Sequence, residues 1–246
     1  MGTYENLRLE IRDRIATVTL DRPPVNALST ALYRDITGVF EEVNQRVDEI
    51  DAAILTGAGR CFCAGRDLKL AETDSQEVRA AASRAGLSAV YHCAVPLISA
   101  VNGPAMGAGF AFALLSDFIV CAPTAVFAFP EIDANVNPSV AILLRAFNQF
   151  QARALAFTGQ RVGPEELQRL GVVRAVVPAE RLLVEAGDLA ALLSTKRAAA
   201  LRAAKWSANE VELLLGDFEA AHRSIESPVS NAIQHALRLE RQAAEA

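Results

Sequence analysis

The chain has 246 residues, 52% of them hydrophobic and 22% charged, which is enough apolar material for a sizeable core and suits one domain with a helical appendage. Its net charge of −5, with Lys and Arg scattered rather than clustered, argues against a nucleic-acid partner. No apolar run approaches the ~20 residues needed to cross a bilayer, and Met1 to Glu10 lack a signal-peptide core, so no membrane partner and a cytoplasmic location are expected.

Leu7, Leu9 and Ile11 alternate with polar residues, Arg12-Asp13-Arg14 turns the chain, and Ala16, Val18 and Leu20 resume the alternation, which predicts a β-hairpin. Asp21-Arg22-Pro23-Pro24 ends it. Ser29 or Thr30 then caps a helix whose apolar stripe is Leu32, Ile36, Val39, Phe40, Val43 and Val47. Ala52 to Leu55 reads as a buried strand. After the Gly57 to Arg60 loop, Cys61 to Lys69 starts extended and is expected to turn into a new helix. Gln76 to Cys93 is predicted helical, with Val78, Ala82, Ala85 and Val90 facing inward.

Leu97 to Val101 is a short apolar run bounded by Pro96 and by Asn102-Gly103-Pro104, the pattern of a buried strand stopping at a turn. Gly107-Ala108-Gly109 opens the apolar helical segment Phe110 to Leu115. Small residues there keep side chains clear of the N–H groups that a helix start leaves unpaired, and such groups can hold a developing negative charge. The plainer alternative is that the glycines let a buried helix pack tightly on its strand. A dinucleotide fingerprint is excluded, because Phe110-Ala111-Phe112 stands where its third small residue belongs. Phe118 to Cys121 and Val126 to Phe129 read as two more short strands, so the first half alternates strand and helix in the manner of an α/β fold.

Beyond Ser139 the pattern is helical apart from Val172 to Val177. Gly163-Pro164 opens a helix that Gly171 closes, and an amphipathic tail, Phe218 to Leu239, suits core or oligomer packing. Cys61, Cys63, Cys93 and Cys121 lack zinc-site spacing. With only three histidines in the chain no metal cluster is expected, and buried thiols are preferred to a nucleophile paired with His92.

Several stretches together resemble the crotonase, or enoyl-CoA hydratase/isomerase, superfamily. Phe62 to Lys69 is similar to its first signature and Asn102 to Gly109 to its second. Pro23-Pro24-Val25-Asn26-Ala27-Leu28 resembles its N-terminal turn, and Phe129-Pro130-Glu131-Ile132 the segment carrying a catalytic glutamate. Thr158-Gly159-Gln160 with Gly171-Val172-Val173 is a weaker landmark, so the likeness spans roughly residues 4 to 210. It implies a spiral of repeated ββα turns over residues 1–190, then a helical region, 191–246, that builds a homotrimer or a dimer of trimers. It implies an acyl-CoA thioester substrate and no separate cofactor, coenzyme A being part of the substrate.

By the same resemblance, the peptide N–H groups of Arg66 and Ala108 hold the thioester oxygen and Glu131 moves a proton. Ala27, Ala64, Gly65, Arg66, Asp67, Leu68, Lys69, Gly107 and Ala108 are the expected substrate-binding positions. The side chains of Arg66 and Lys69 either meet coenzyme A phosphates or form a solvated face. Hydratases of the superfamily carry a first glutamate where this chain has Ala111, whereas a lone glutamate at the second position is the pattern of Δ3,Δ2-enoyl-CoA isomerases. Dienoyl isomerases carry an Asp where Ser139 stands. The expectation is therefore an isomerase. A hydratase of altered chemistry and a non-catalytic acyl-CoA binder are the alternatives, the latter because Ala111 lacks a carboxylate and Asn135 replaces a usual glycine.

Overall fold

The computed structural model describes residues 2–67, 74–134, 138 and 140–215, the side chains of 134 and 213–215 excepted. Strands β1 (Leu7–Arg12) and β2 (Ile15–Leu20) form the expected hairpin, with Leu7 opposite Leu20. Its turn, Asp13-Arg14, has positive φ at both residues, the mirror-image turn whose twist suits paired strands.

The hairpin begins a six-stranded sheet in the order β1-β2-β3-β4-β6-β8, parallel throughout except for β1. Its further strands are β3 (Ala52–Gly57), β4 (Leu97–Val101), β6 (Phe118–Cys121) and β8 (Ala175–Val176). Both faces of the central strands are buried, and the two-residue period sorts their side chains between two cores. Ala53, Leu55, Leu97, Val101 and Cys121 join the core beneath helices α1 (Thr30–Gln45), α2 (Gln76–Tyr91) and α3 (Ala108–Leu115). Ala52, Ile54, Ile98, Ala100 and Val120 meet Leu182, Ala186 and Leu189 of α7 (Leu182–Ser194) on the other face.

Ser29 caps α1, its hydroxyl accepting from the Leu32 N–H at 3.2 Å, and the predicted stripe from Leu32 to Val43 is buried. Of the face expected to point inward on α2, Val90 is buried and Ala82 packs on the core, whereas Val78 and Ala85 are exposed and Gly86, Leu87 and Tyr91 are buried instead. Alanines occupy both faces of α2, so apolar spacing there marks no single stripe.

A second, narrow ladder runs beside the large sheet. In it Leu28 bridges Arg66, Cys63 bridges Ala105, and β5 (Ala105–Met106) pairs with β7 (Phe127–Ala128), which bridges Val162. The strand expected at Val126 to Phe129 thus lies in this ladder rather than in the main sheet. Each spiral turn supplies a main-sheet strand, a rung of the ladder and a helix, the repeated ββα arrangement. Cys61 to Asp67 forms a rung of the ladder, as its expected extended start requires, and the continuation at Leu68 and Lys69, where a helix was expected, lies outside the described residues.

After a 3₁₀ turn at Pro130–Ala134 the chain forms α4 (Val140–Leu143), α5 (Gln149–Thr158) and α6 (Pro164–Arg169), then α7 and α8 (Ala198–Leu215). Position 190, the expected end of the core, falls inside α7, where Ala190 packs on the sheet. Helix α8 is tied down by polar groups. Lys205 Nζ donates to the Val95 carbonyl at 2.9 Å and to Asp117 at 2.7 Å, and the Tyr91 hydroxyl donates to the Asn209 carbonyl. The amphipathic tail from Phe218 to Leu239 lies outside the described residues, as do Asn135 and Ser139. Among the described residues no helix is long and apolar enough to cross a membrane.

Candidate active site

The narrow ladder brings the two glycine-bearing junctions together. Along its first rung, the Leu28 N–H donates to the Gly65 carbonyl at 2.8 Å and the Asp67 N–H donates to the Leu28 carbonyl at 3.1 Å. In a parallel bridge of this kind Leu28 uses both of its peptide groups, so the N–H of the intervening Arg66 points away from Leu28, toward the next rung. That rung is Met106-Gly107-Ala108. Gly65 has φ +79°, and a Cβ placed on it would lie 2.6 Å from the Met106 oxygen and 3.7 Å from the Ala108 nitrogen, so only glycine permits this approach.

Ala108 is the first residue of α3, where no carbonyl of the helix can reach its N–H, and Gly107 at the cap offers no side chain to do so. Gly107 adopts φ +53° while its own N–H donates to the Ala128 carbonyl at 2.8 Å. The Arg66 and Ala108 N–H groups therefore belong to adjacent rungs, with the helix dipole of α3 adding positive potential at the second.

Glu131 enters from the 3₁₀ turn after β7. Its carboxyl lies directly against Gly107, where a Cβ would strike Oε1, and Oε2 is buried without a hydrogen-bond partner among the described residues. Burial pushes this carboxyl up to about 7 from its ordinary value of 4.5, and the residue's own N–H pulls weakly the other way. Behind it the rings of Phe127 and Phe129 pack 5.0 and 5.3 Å from that of Phe110 in α3, so one aromatic cluster fixes the glutamate's segment against the helix. Ala111, one turn into α3, is fully buried and brings no carboxylate.

The other expected positions divide. Ala27 and Ala64 lie where the N-terminal turn meets the first junction, the Ala64 N–H donating to the Val25 carbonyl at 3.0 Å. Asp67 has a structural duty, accepting from Arg22 Nη1 at 2.8 Å, while the same nitrogen donates to the Ala27 carbonyl. The Arg66 side chain is exposed, and Leu68 and Lys69 lie outside the described residues.

Two residues near the site have a part there that the sequence did not assign, although Asn26 lies in the recognised N-terminal turn. Tyr33 is buried one place beside the apolar stripe of α1; its hydroxyl bonds to Ser83, and the charges of Arg66 and Glu131 both act on it. Asn26 is buried at φ +53° within the turn before the first junction. All four cysteines are buried, Cys63 and Cys121 with thiols pushed up to about 12 by burial, as suits inert thiols. Among the described residues no group of His, Cys, Asp and Glu could hold a metal ion.

The profile of the Enoyl-CoA hydratase/isomerase family matches residues 10–240. The chain belongs to this family. A carnitinyl-CoA dehydratase of Escherichia coli is 38% identical to this enoyl-CoA hydratase/isomerase family member over 208 residues, 82% of the chain and 79% of the relative. The (7aS)-7a-methyl-1,5-dioxo-2,3,5,6,7,7a-hexahydro-1H-indene-carboxyl-CoA hydrolase of Rhodococcus jostii is 36% identical over 204 residues, 81% of the chain and 79% of the relative. A solved enoyl-CoA hydratase from Bacillus anthracis, 27% identical, superposes with a TM-score of 0.77 over 98% of the chain and 90% of its own length. As a member of the enoyl-CoA hydratase/isomerase family, the chain is an acyl-CoA enzyme with the crotonase fold.

Proposed function

We propose that the enzyme moves a double bond in an acyl-CoA thioester, converting a 3-enoyl into a 2-enoyl thioester, with Glu131 as the only proton carrier. The observation that carries this reading is the carboxyl of Glu131, seated against Gly107 at the start of α3 while position 111, one turn further, is alanine. In this mechanism the ionised Glu131 takes a proton from the carbon next to the thioester. The electrons move onto the thioester oxygen as a dienolate, which the Arg66 and Ala108 N–H groups stabilise. Glu131 then returns the same proton to the γ-carbon, and the double bond moves into conjugation. A carboxyl held near 7 suits both halves of this exchange, since it takes and releases protons at similar cost. Coenzyme A enters with the substrate, and no further cofactor is required.

A second reading, addition or removal of water, is favoured by the names of the relatives, a dehydratase and a hydrolase. It asks one carboxyl both to activate water and to deliver a proton to carbon. Product analysis with 3-enoyl-CoA and 2-enoyl-CoA supplied separately decides between them. Isomerisation predicts that the first substrate turns over much faster than the second is hydrated. Hydration of 2-enoyl-CoA at an equal or greater rate would overturn the isomerase assignment.

A further inference from the structure

We infer that Asn26 is a positioning residue that aims the Arg66 N–H, acting through the loop between β3 and the first junction. The inference rests on the reading above, in which that N–H meets the thioester oxygen. Three peptide carbonyls converge on the Asn26 amide: Nδ2 lies 3.0 Å from the Ala58 oxygen, 2.8 Å from that of Cys61 and 3.2 Å from that of Phe62. The loop is folded tightly enough for the Cys61 and Phe62 oxygens to abut Gly57, which admits no Cβ there. Carbonyl oxygens so crowded repel one another, and a buried amide NH₂ set among them offsets that repulsion and supplies their donor. Asn26 Oδ1 meanwhile accepts from the Arg22 N–H at 3.0 Å, and the Asn26 N–H donates to the Arg22 carbonyl at 2.9 Å, so the side chain is fixed at both ends.

The same turn is fastened along the next residues of the junction. Val25 accepts from Ala64, Leu28 brackets Arg66 by bonding Gly65 and Asp67, and Arg22 holds Asp67 and the Ala27 carbonyl. From Ala58 to Asp67 the backbone is thus tied to residues 22–28 on one side and, through the Phe62 and Cys63 N–H groups, to the Pro104 carbonyl on the other, with Asn26 the buried pin at the tightest point. Its effect on chemistry runs through the direction of one N–H, where a displacement of about 1 Å costs on the order of 10²-fold in rate.

The test compares Asn26→Asp, which keeps the shape but places oxygen against three carbonyl oxygens, and Asn26→Gly, which deletes the amide at a position whose φ of +53° glycine adopts freely. The readouts are thermal unfolding, kcat and KM, and the carbonyl stretching frequency of a bound saturated acyl-CoA labelled with ¹³C at the thioester carbon. In the wild type that frequency falls on binding, because two N–H groups polarise the carbonyl; its failure to fall would refute the donor reading itself. With the wild-type shift in place, the positioning role predicts that folded Asn26→Asp loses much of the shift and about 10²-fold in kcat with KM little changed. Asn26→Gly is expected to show the same pattern. A folded Asn26→Asp with the wild-type frequency and kcat overturns the inference. Should Asn26→Asp not fold, Asn26→Gly decides: a wild-type frequency and kcat there, with or without a raised KM, would equally overturn it.

Discussion

Glu131 is costly to the fold and useful to the chemistry for one reason, its removal from water. With the carboxyl pushed up to about 7, kcat/KM for isomerisation is expected to rise with pH through about 7, since the ionised form is the base. Stability runs in the opposite sense. Between 4.5 and 7 the folded state keeps a proton that the unfolded chain releases, so stability falls as pH rises through this window. At pH 8 the loss from this one residue is about 3 kcal/mol, taking ~1.36 kcal/mol per pH unit. Glu131→Gln should lower turnover at least about 10²-fold while thioesters still bind, and the wild type should lose more stability than this variant between pH 5 and pH 8. Parallel pH–stability curves for the two proteins, from denaturant titrations, would show that the carboxyl is not buried as described.

At the scale of elements, the start of α3 is where backbone rather than side chain matters. Ala108→Ser keeps the N–H and should retain substantial activity. Ala108→Pro removes the N–H at the first helical position, where proline is tolerated, and should cost at least about 10²-fold in kcat with a smaller effect on folding. Turnover and thermal unfolding measured on both variants check this, and a folded proline variant as active as the serine one refutes the donor. The hairpin and α1 were legible in the sequence because their apolar residues follow one clean period, and β3, β4 and α3 because each is a short, nearly continuous apolar run, with Pro96 before β4 and Gly107 before α3. The inner face of helix α2 was only partly legible, Val90 and Ala82 facing the core but Val78 and Ala85 not, since its alanines supply apolar spacing on every face. The small residues at the first junction mark a close approach, which Gly65 makes to Met106 and Ala108. Asn26 stood in a recognised turn, but its task there was hidden: its three carbonyl partners lie 32 to 36 residues away, and no local pattern reports such a meeting.

For the whole molecule, α8 is held to the spiral core through charged groups at its inner face. Lys205 is nearly buried, and its partner Asp117 also accepts from the Leu97 N–H at 2.7 Å at the start of β4. Lys205→Met keeps the apolar stem and deletes two charge-assisted contacts. It is expected to cost about 2 kcal/mol, which in a domain of this size lowers Tm by roughly 4–8 °C. It should also make α8 the first segment cut in limited proteolysis, and unchanged Tm and cleavage would mean that apolar packing alone holds the helix.

The order of strands in the large sheet carries a consequence for how such a chain comes into being. From β1 through β4 each strand lies beside the one made just before it, and β6 and β8 extend the sheet from the same edge. A nascent chain leaving the ribosome can therefore add each turn onto a surface already assembled, without waiting for a distant segment. Partners that follow closely in synthesis leave little time for an exposed apolar edge to find a wrong neighbour. The rung that contributes Glu131 is laid down only after both glycine junctions are in place, so the costly carboxyl is buried onto a scaffold that has already formed.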